Sequence, residues 1–236
     1  MTTVSNGAGR RRSSGDRSDL EITALGTSAM LLEVRSELSL STQQRLWALA
    51  QTVRTWRHVA EAVPGMNNLM LTWSEPPATH TEWLHLAEAL RAAWGQSEPI
   101  VLEGRLVDVP VVYGGEGGPH IADVMAHTGL TLDEIVEIHS APRYTVYALG
   151  SHPGYCYLGG MDARIATPRR KSPIIDLPGG SVSIGGVQTG VSASAGPSGW
   201  NTIGRTEFHF FDHRQVPPAL LRPGDQIRFQ VQGIER

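Results

Sequence analysis

From Leu20 to Val34 apolar and polar residues alternate around Gly26, which predicts two short strands joined by a turn. Leu46, Leu49 and Val53 then recur at helical spacing behind Ser41, the expected N-cap, and the helix is expected to stop near Arg54. Val59 to Val63 and Leu69 to Trp73 flank the turn Pro64-Gly65-Met66-Asn67 as a second strand pair, ended by Pro76-Pro77. A second helix, capped by Thr81 and closed by Gly95, gathers Trp83, Leu86, Ala87, Leu90 and Trp94 on one face.

Beyond Ser97 to Pro99 the pattern changes, because glycine and proline become dense. Leu106 to Tyr113 reads as a strand, and Ile121 to His127 as a short helix closed by Gly129. A further helix starts at Thr131, whose hydroxyl and Glu134 have the spacing of a capping box. After Arg143 to Leu149, the stretches Ser181 to Ile184, Thr206 to Phe211 and Gln226 to Val231 are expected as short strands divided by glycine and proline turns, the pattern of a closed β-barrel or sandwich. The chain is accordingly divided into a disordered tail rich in Ser, Gly and Arg (1–19), a small α/β domain (20–97) and a β-rich domain (98–236).

Composition narrows the class. The 236 residues suffice for a real core, and a net charge of −3 with 18% charged residues supplies no general field that would draw the molecule to nucleic acid. The single cysteine, Cys156, excludes an internal disulfide and a cysteine-built zinc site, reads as a packing residue, and fits a reducing cytoplasm. No apolar run approaches the roughly 18 to 20 residues needed to cross a bilayer. The nine histidines show no HExxH spacing, so no metal site is expected from this chain alone. Gly114 to Gly118 lacks the Gly-Lys-Ser/Thr of a P-loop, and no Gly-x-Ser-x-Gly elbow occurs.

Three places carry candidate chemistry. Gly150 to Gly160 is a glycine-rich loop with Tyr155 and Tyr157 as aromatic walls, followed by Arg169 and Arg170, which suit a carboxylate or phosphate; the plainer reading is a tight turn and a solvated basic corner. Gly179 to Gly190 presents Gln188, whose side-chain amide offers a donor and an acceptor, beside Thr189; the plainer reading is a hairpin. His139 stands at a helix C-terminus, where the dipole favours a protonated ring able to act as general acid or hold an anion, although such a histidine is more often structural.

The succession VPVVYGGEGGP (109–119), GLTLDEIVEIHS (129–140), PGYCYLGGMDARIATPRR (153–170), SVSIGGVQTG (181–190), GWNTIGRT (199–206) and LRPGDQIRF (221–229) closely resembles the B subunit of 5-oxoprolinase. That family is also known as allophanate hydrolase subunit 1 and includes a sporulation-kinase inhibitor. The resemblance implies an α+β chain with a small ferredoxin-like domain followed by a cyclophilin-like β-barrel. It also implies a homologous partner, the C subunit of 5-oxoprolinase or allophanate hydrolase subunit 2, in a heterodimer or heterotetramer that is cytoplasmic and hydrolyses a small amide. ATP is the implied cofactor, bound by the complex and not by this chain alone, and the isolated chain is expected to be inactive.

Carried onto this sequence, the resemblance gives His139, Arg169, Arg170 and Gln188 as catalytic candidates. Tyr144, Pro153, Gly154, Tyr155, Tyr157, Thr189, Trp200 and Arg205 are the substrate-facing candidates. The chain departs from the family pattern at His120 (usually Asp), Ser151 (usually Phe), Ile174 (often Arg) and Gly196-Pro197-Ser198-Gly199. The competing readings are a binding module that inhibits a histidine kinase, and the carboxyltransferase half of a urea-handling system.

Overall fold

The computed structural model describes residues 19–236, so the expected tail lies outside the described residues apart from Asp19. The first part runs β1 (Leu20–Leu25), β2 (Ala29–Val34), α1 (Leu40–Val53), β3 (Val59–Pro64), β4 (Asn68–Trp73) and α2 (His80–Gln96). Both expected strand pairs form, and the four strands make one antiparallel sheet in the order β1-β2-β4-β3. Every second residue of β2 and β4 is buried, as a sheet covered on one face requires. That face meets Leu46, Leu49, Ala50 and Val53 of α1 and Leu90 and Trp94 of α2 in a single core. The element order is β-β-α-β-β-α, which coincides with the β-α-β-β-α-β succession of ferredoxin-like folds only when β1 is moved behind α2.

Two helix caps differ from expectation. Ser39 and not Ser41 caps α1, its hydroxyl accepting from the Thr42 amide at 3.1 Å. Thr79 and not Thr81 caps α2, because only Thr79 has a glutamate three residues on, and Glu82 returns the bond to the Thr79 amide. Gly95 lies inside α2 and does not end it. The terminal carbonyls are satisfied instead by Arg45, which donates to the carbonyls of Trp94 and Ser97, both at 2.9 Å.

The second part begins with β5 (Leu106–Gly114), α3 (Ile121–Thr128), α4 (Leu132–Ser140), β6 (Tyr144–Leu149) and β7 (Cys156–Gly159). It continues with β8 (Ile174–Leu177), β9 (Ser181–Gly185), β10 (Gln188–Val191), β11 (Gly196–Ser198), β12 (Asn201–Arg205) and β13 (Gln226–Glu235). Seven strands close into a barrel in the order β10-β7-β6-β13-β5-β12-β9, while β8 and β11 form a separate two-stranded ribbon. The pairing of β5 with β13 is parallel and the other barrel pairings are antiparallel. Gly129 at φ +74 ends α3, and the Thr131/Glu134 capping box starts α4, as the sequence predicts. Thr206 to Phe211 is not a strand, since only Phe211 bridges to Ala219. The Thr206 hydroxyl accepts from the Phe208 amide at 3.1 Å, a local bond that competes with a ladder.

Asp225 fastens the two barrel termini. Its carboxylate is fully buried and accepts from the backbone amides of Arg105 at 2.9 Å and Arg222 at 3.1 Å, with the Arg105 guanidinium at 3.3 Å. An Asp225→Asn change turns one acceptor into a donor that faces one of these amides. It should cost about 2 kcal/mol and lower the melting temperature by roughly 5 °C in a calorimetric scan. An unchanged melting temperature would show that the carboxylate is dispensable. The two parts meet at the Tyr147 carbonyl, which accepts from Trp47 Nε1 at 2.9 Å and Gln43 Nε2 at 3.2 Å.

Candidate functional site

Strands β9, β10 and β12 are short and almost wholly buried, so a ligand can reach their side chains only from the adjoining loops and strand ends. There the loop Gly150–Tyr155, strands β9 and β10, and the segment Pro197–Trp200 enclose a half-open pocket of about 230 Å³. Of the residues expected from sequence, Tyr155, Tyr157, Arg169 and Trp200 line it together. Tyr155 packs edge-on against Tyr157 at 5.0 Å and against Trp200 at 6.4 Å. The Arg169 guanidinium carbon lies 5.7 Å from the centre of the Trp200 ring, and among the described residues no carboxylate pairs with it. Burial raises the pKa of Tyr155, so its hydroxyl stays protonated as a donor.

Small residues allow this aromatic wall. A Cβ on Gly185 would stand 2.5 Å from the Trp200 ring, and one on Gly190 would stand 2.8 Å from the Tyr155 hydroxyl oxygen. The sequence suggests glycines that open the backbone to a ligand; the chain's own side chains cover these two instead. Gly114 and Gly115 behave alike, their space being taken by Glu235 of β13. Glycine here chiefly admits close packing inside the chain, while Gly190 and Gly199 also border the open pocket among its side chains.

His139 is elsewhere. It is fully buried in the barrel core, stacked on Phe229 with ring centroids 4.6 Å apart. The Thr189 hydroxyl donates to the Ser183 carbonyl at 3.1 Å, so it accepts from His139 Nε2–H at 2.8 Å. Nδ1 is then unprotonated and accepts from the Tyr113 hydroxyl at 2.8 Å. Desolvation drives the imidazole pKa down to about 3, so the ring is neutral. The expected protonated histidine is corrected on this point: the helix dipole favours the charge by at most about 2 kcal/mol, less than full burial removes.

Tyr144 and Thr189 share that interior network. The Tyr144 hydroxyl donates to the His139 carbonyl at 2.7 Å, so both serve the core and neither faces the pocket. Arg170 points away, ion-paired with Asp123 of α3 at 3.2 Å. Arg205 lies at the end of β12, half exposed and paired with Glu207 at 3.0 Å. Gln188 opens β10 opposite Gly185, outside the pocket lining. Pro153 and Gly154 border a shallow adjoining depression that shares Ser151 and His152 with the pocket.

Sequence reading misses His152 and the hydroxyls of Ser151, Ser183, Ser192 and Ser198. His152 interrupts a glycine loop directly beside Pro153, which is a usable signal; scattered serines carry none. The openings of about 650 Å³ around Phe211 to Pro218 and about 480 Å³ around His58 and Trp73 contain none of the expected residues. Cys156 is buried and its thiol pKa is pushed up to about 12, which leaves it inert as a nucleophile. No helix among the described residues is long and apolar enough to cross a membrane.

Comparison with known proteins agrees with this architecture. Residues 20–221 match the family described as carboxyltransferase domain, subdomain C and D, and the chain belongs to that family. Within it, the chain is similar to proteins named as the B subunit of 5-oxoprolinase. That of Escherichia coli O157:H7 is 44% identical over 212 residues, covering 89% of this chain and 96% of the relative. That of Haemophilus influenzae is 37% identical over 216 residues, covering 92% and 100%. The crystal structure of the K. lactis urea amidolyase superposes with a TM-score of 0.77 at 16% identity, over 93% of this chain and 15% of that one, a likeness of fold alone.

Proposed function

We propose that the chain is one subunit of a heteromeric ATP-dependent amidohydrolase that cleaves a small cyclic or linear amide with a homologous partner, the counterpart of the 5-oxoprolinase C subunit or of allophanate hydrolase subunit 2. The names of the relatives support the subunit reading. In this reading residues 20–97 form a ferredoxin-like domain displaced by one strand, and residues 98–236 a cyclophilin-like barrel.

The observation that carries the reading is the lining of the pocket: one guanidinium, tyrosine and serine hydroxyls, an indole wall, and no Asp or Glu. Such a site favours a small anion rich in acceptor oxygens. A carboxylate-bearing amide such as 5-oxoproline or allophanate fits that demand, whereas urea is neutral. Arg169 binds the carboxylate, Trp200 shields that contact from water, and the hydroxyls of Tyr155 and Tyr157 meet the amide oxygen as negative charge grows on it.

The pocket does not fit ATP. It holds a single guanidinium in about 230 Å³, and the glycines that would cradle phosphate at Gly114 and Gly115 are filled by Glu235. In this reading nucleotide handling is assigned to the assembled enzyme. The test is to co-express the chain with its partner and follow ATP hydrolysis with 5-oxoproline, allophanate or urea. Stimulation by one of the two carboxylates, absent when each chain is tested by itself, is expected; stimulation by urea alone, or full activity of the isolated chain, would overturn the proposal.

A further inference from the structure

Main-chain hydrogen bonds on both sides hold His152 in its loop. Its amide donates to the Gly150 carbonyl at 2.7 Å, the Tyr155 amide donates to the His152 carbonyl at 3.1 Å, and the Gly150 amide donates to the Tyr155 carbonyl at 3.2 Å. Ser151, between Gly150 and His152, adopts φ +64 without being glycine, a conformation that costs on the order of 1–3 kcal/mol and persists where the surroundings enforce it. The imidazole packs against Tyr155 with centroids 5.1 Å apart.

The tautomer follows from one contact. His152 Nε2 lies 3.2 Å from the backbone amide of Ala193, just beyond β10, and accepts its proton. An amide N–H is an obligate donor, so Nε2 carries no hydrogen and the neutral ring bears its proton on Nδ1. Desolvation lowers the His152 pKa, which keeps the ring neutral near pH 7. The hydrogen bonds of the described residues engage Nε2 alone, so the Nδ1–H remains as a donor in a residue that lines the pocket with Arg169.

We infer that His152, fixed by Ala193 as the Nδ1–H tautomer, is a specificity-determining residue that donates one hydrogen bond to an acceptor oxygen of a small carboxylate-bearing amide whose carboxylate rests on Arg169. The inference rests on the subunit reading above and adds to it. Arginine supplies charge attraction that any small carboxylate satisfies. A single neutral donor set beside it discriminates by where the second acceptor oxygen lies, since a ligand without one leaves the N–H unpaired at a cost of about tenfold or more in affinity.

Two amide substitutions separate this role from mere loop support. Asparagine places its NH₂ near the position of Nδ1 but does not reach Ala193; glutamine places its oxygen near Nε2 and keeps the Ala193 bond without the Nδ1 donor. Calorimetric titration of 5-oxoproline and of allophanate into the co-expressed pair should show His152→Asn within about threefold of wild type and His152→Gln weakened about tenfold. Glutamine binding as tightly as histidine, or asparagine binding as weakly as His152→Ala, would overturn the inference while leaving the subunit reading intact. A wild-type pair that binds neither carboxylate would remove the subunit reading and this inference with it. Nitrogen-15 shifts of labelled histidine in the full chain give a readout independent of ligand: a protonated Nδ1 at His152 is expected, and a protonated Nε2 would refute it.

Discussion

Replacing Arg169 with alanine in the co-expressed pair is expected to lower kcat/KM at least tenfold while leaving the chain's stability unchanged. The guanidinium stands over Trp200 at the pocket rim, exposed, with no carboxylate partner among the described residues. Its removal leaves no buried charge behind. A charge-assisted bond to a ligand carboxylate is worth roughly 1.5–3 kcal/mol, which corresponds to about ten- to 150-fold. Lysine should restore only part of the loss, because it keeps the charge without the planar two-pronged donor. Arg170→Ala is the internal comparison. That side chain pairs with Asp123 away from the pocket, so its loss should change turnover less than threefold. Steady-state kinetics on the three variants decide the matter, and unchanged kinetics in Arg169→Ala would remove it from the mechanism.

Acid should destabilise the chain through His139. In the folded state its pKa is about 3, below the unfolded value near 6.5. Between those values the unfolded chain binds a proton that the folded chain refuses, so stability is complete above pH 6.5 and declines as the pH falls. The slope approaches about 1.4 kcal/mol per pH unit, giving about 2 kcal/mol by pH 5 and about 4 kcal/mol by pH 3. Urea unfolding at pH 7 and pH 5 should therefore show wild type losing about 2 kcal/mol more than His139→Gln, which cannot titrate. His120 and His152 are depressed in the same direction, but they are common to both proteins and cancel in the difference. Parallel losses would mean that His139 is already protonated in the fold.

How far the chain can be read from its sequence depends on what each element shows to water. The strands β2 and β4 are covered on one face only, and their alternation announces them. Likewise α4 is marked by Thr131 and Glu134, because a capping box leaves a signature in the residues themselves. By contrast, β10 and β12 escape such reading. Thr189 to Val191 and Asn201 to Gly204 are buried on both sides, so no period of two survives, and their glycines suggest turns.

The site is legible in the same uneven way. Tyr155, Tyr157, Arg169 and Trp200 are large groups near glycines, and they do converge. His139 misleads because a helix end seen in sequence does not reveal that Tyr113, Thr189 and Phe229 will enclose it. Arg169 and Arg170 look equivalent as neighbours. Only the fold, by placing Asp123 beside Arg170, separates them.

The most direct test is a crystal structure of the co-expressed pair grown with 5-oxoproline or allophanate. The ligand carboxylate is predicted within hydrogen-bonding distance of Arg169, against the Trp200 ring and with an acceptor oxygen facing His152. Ligand density elsewhere, with this pocket holding only water, would contradict the account.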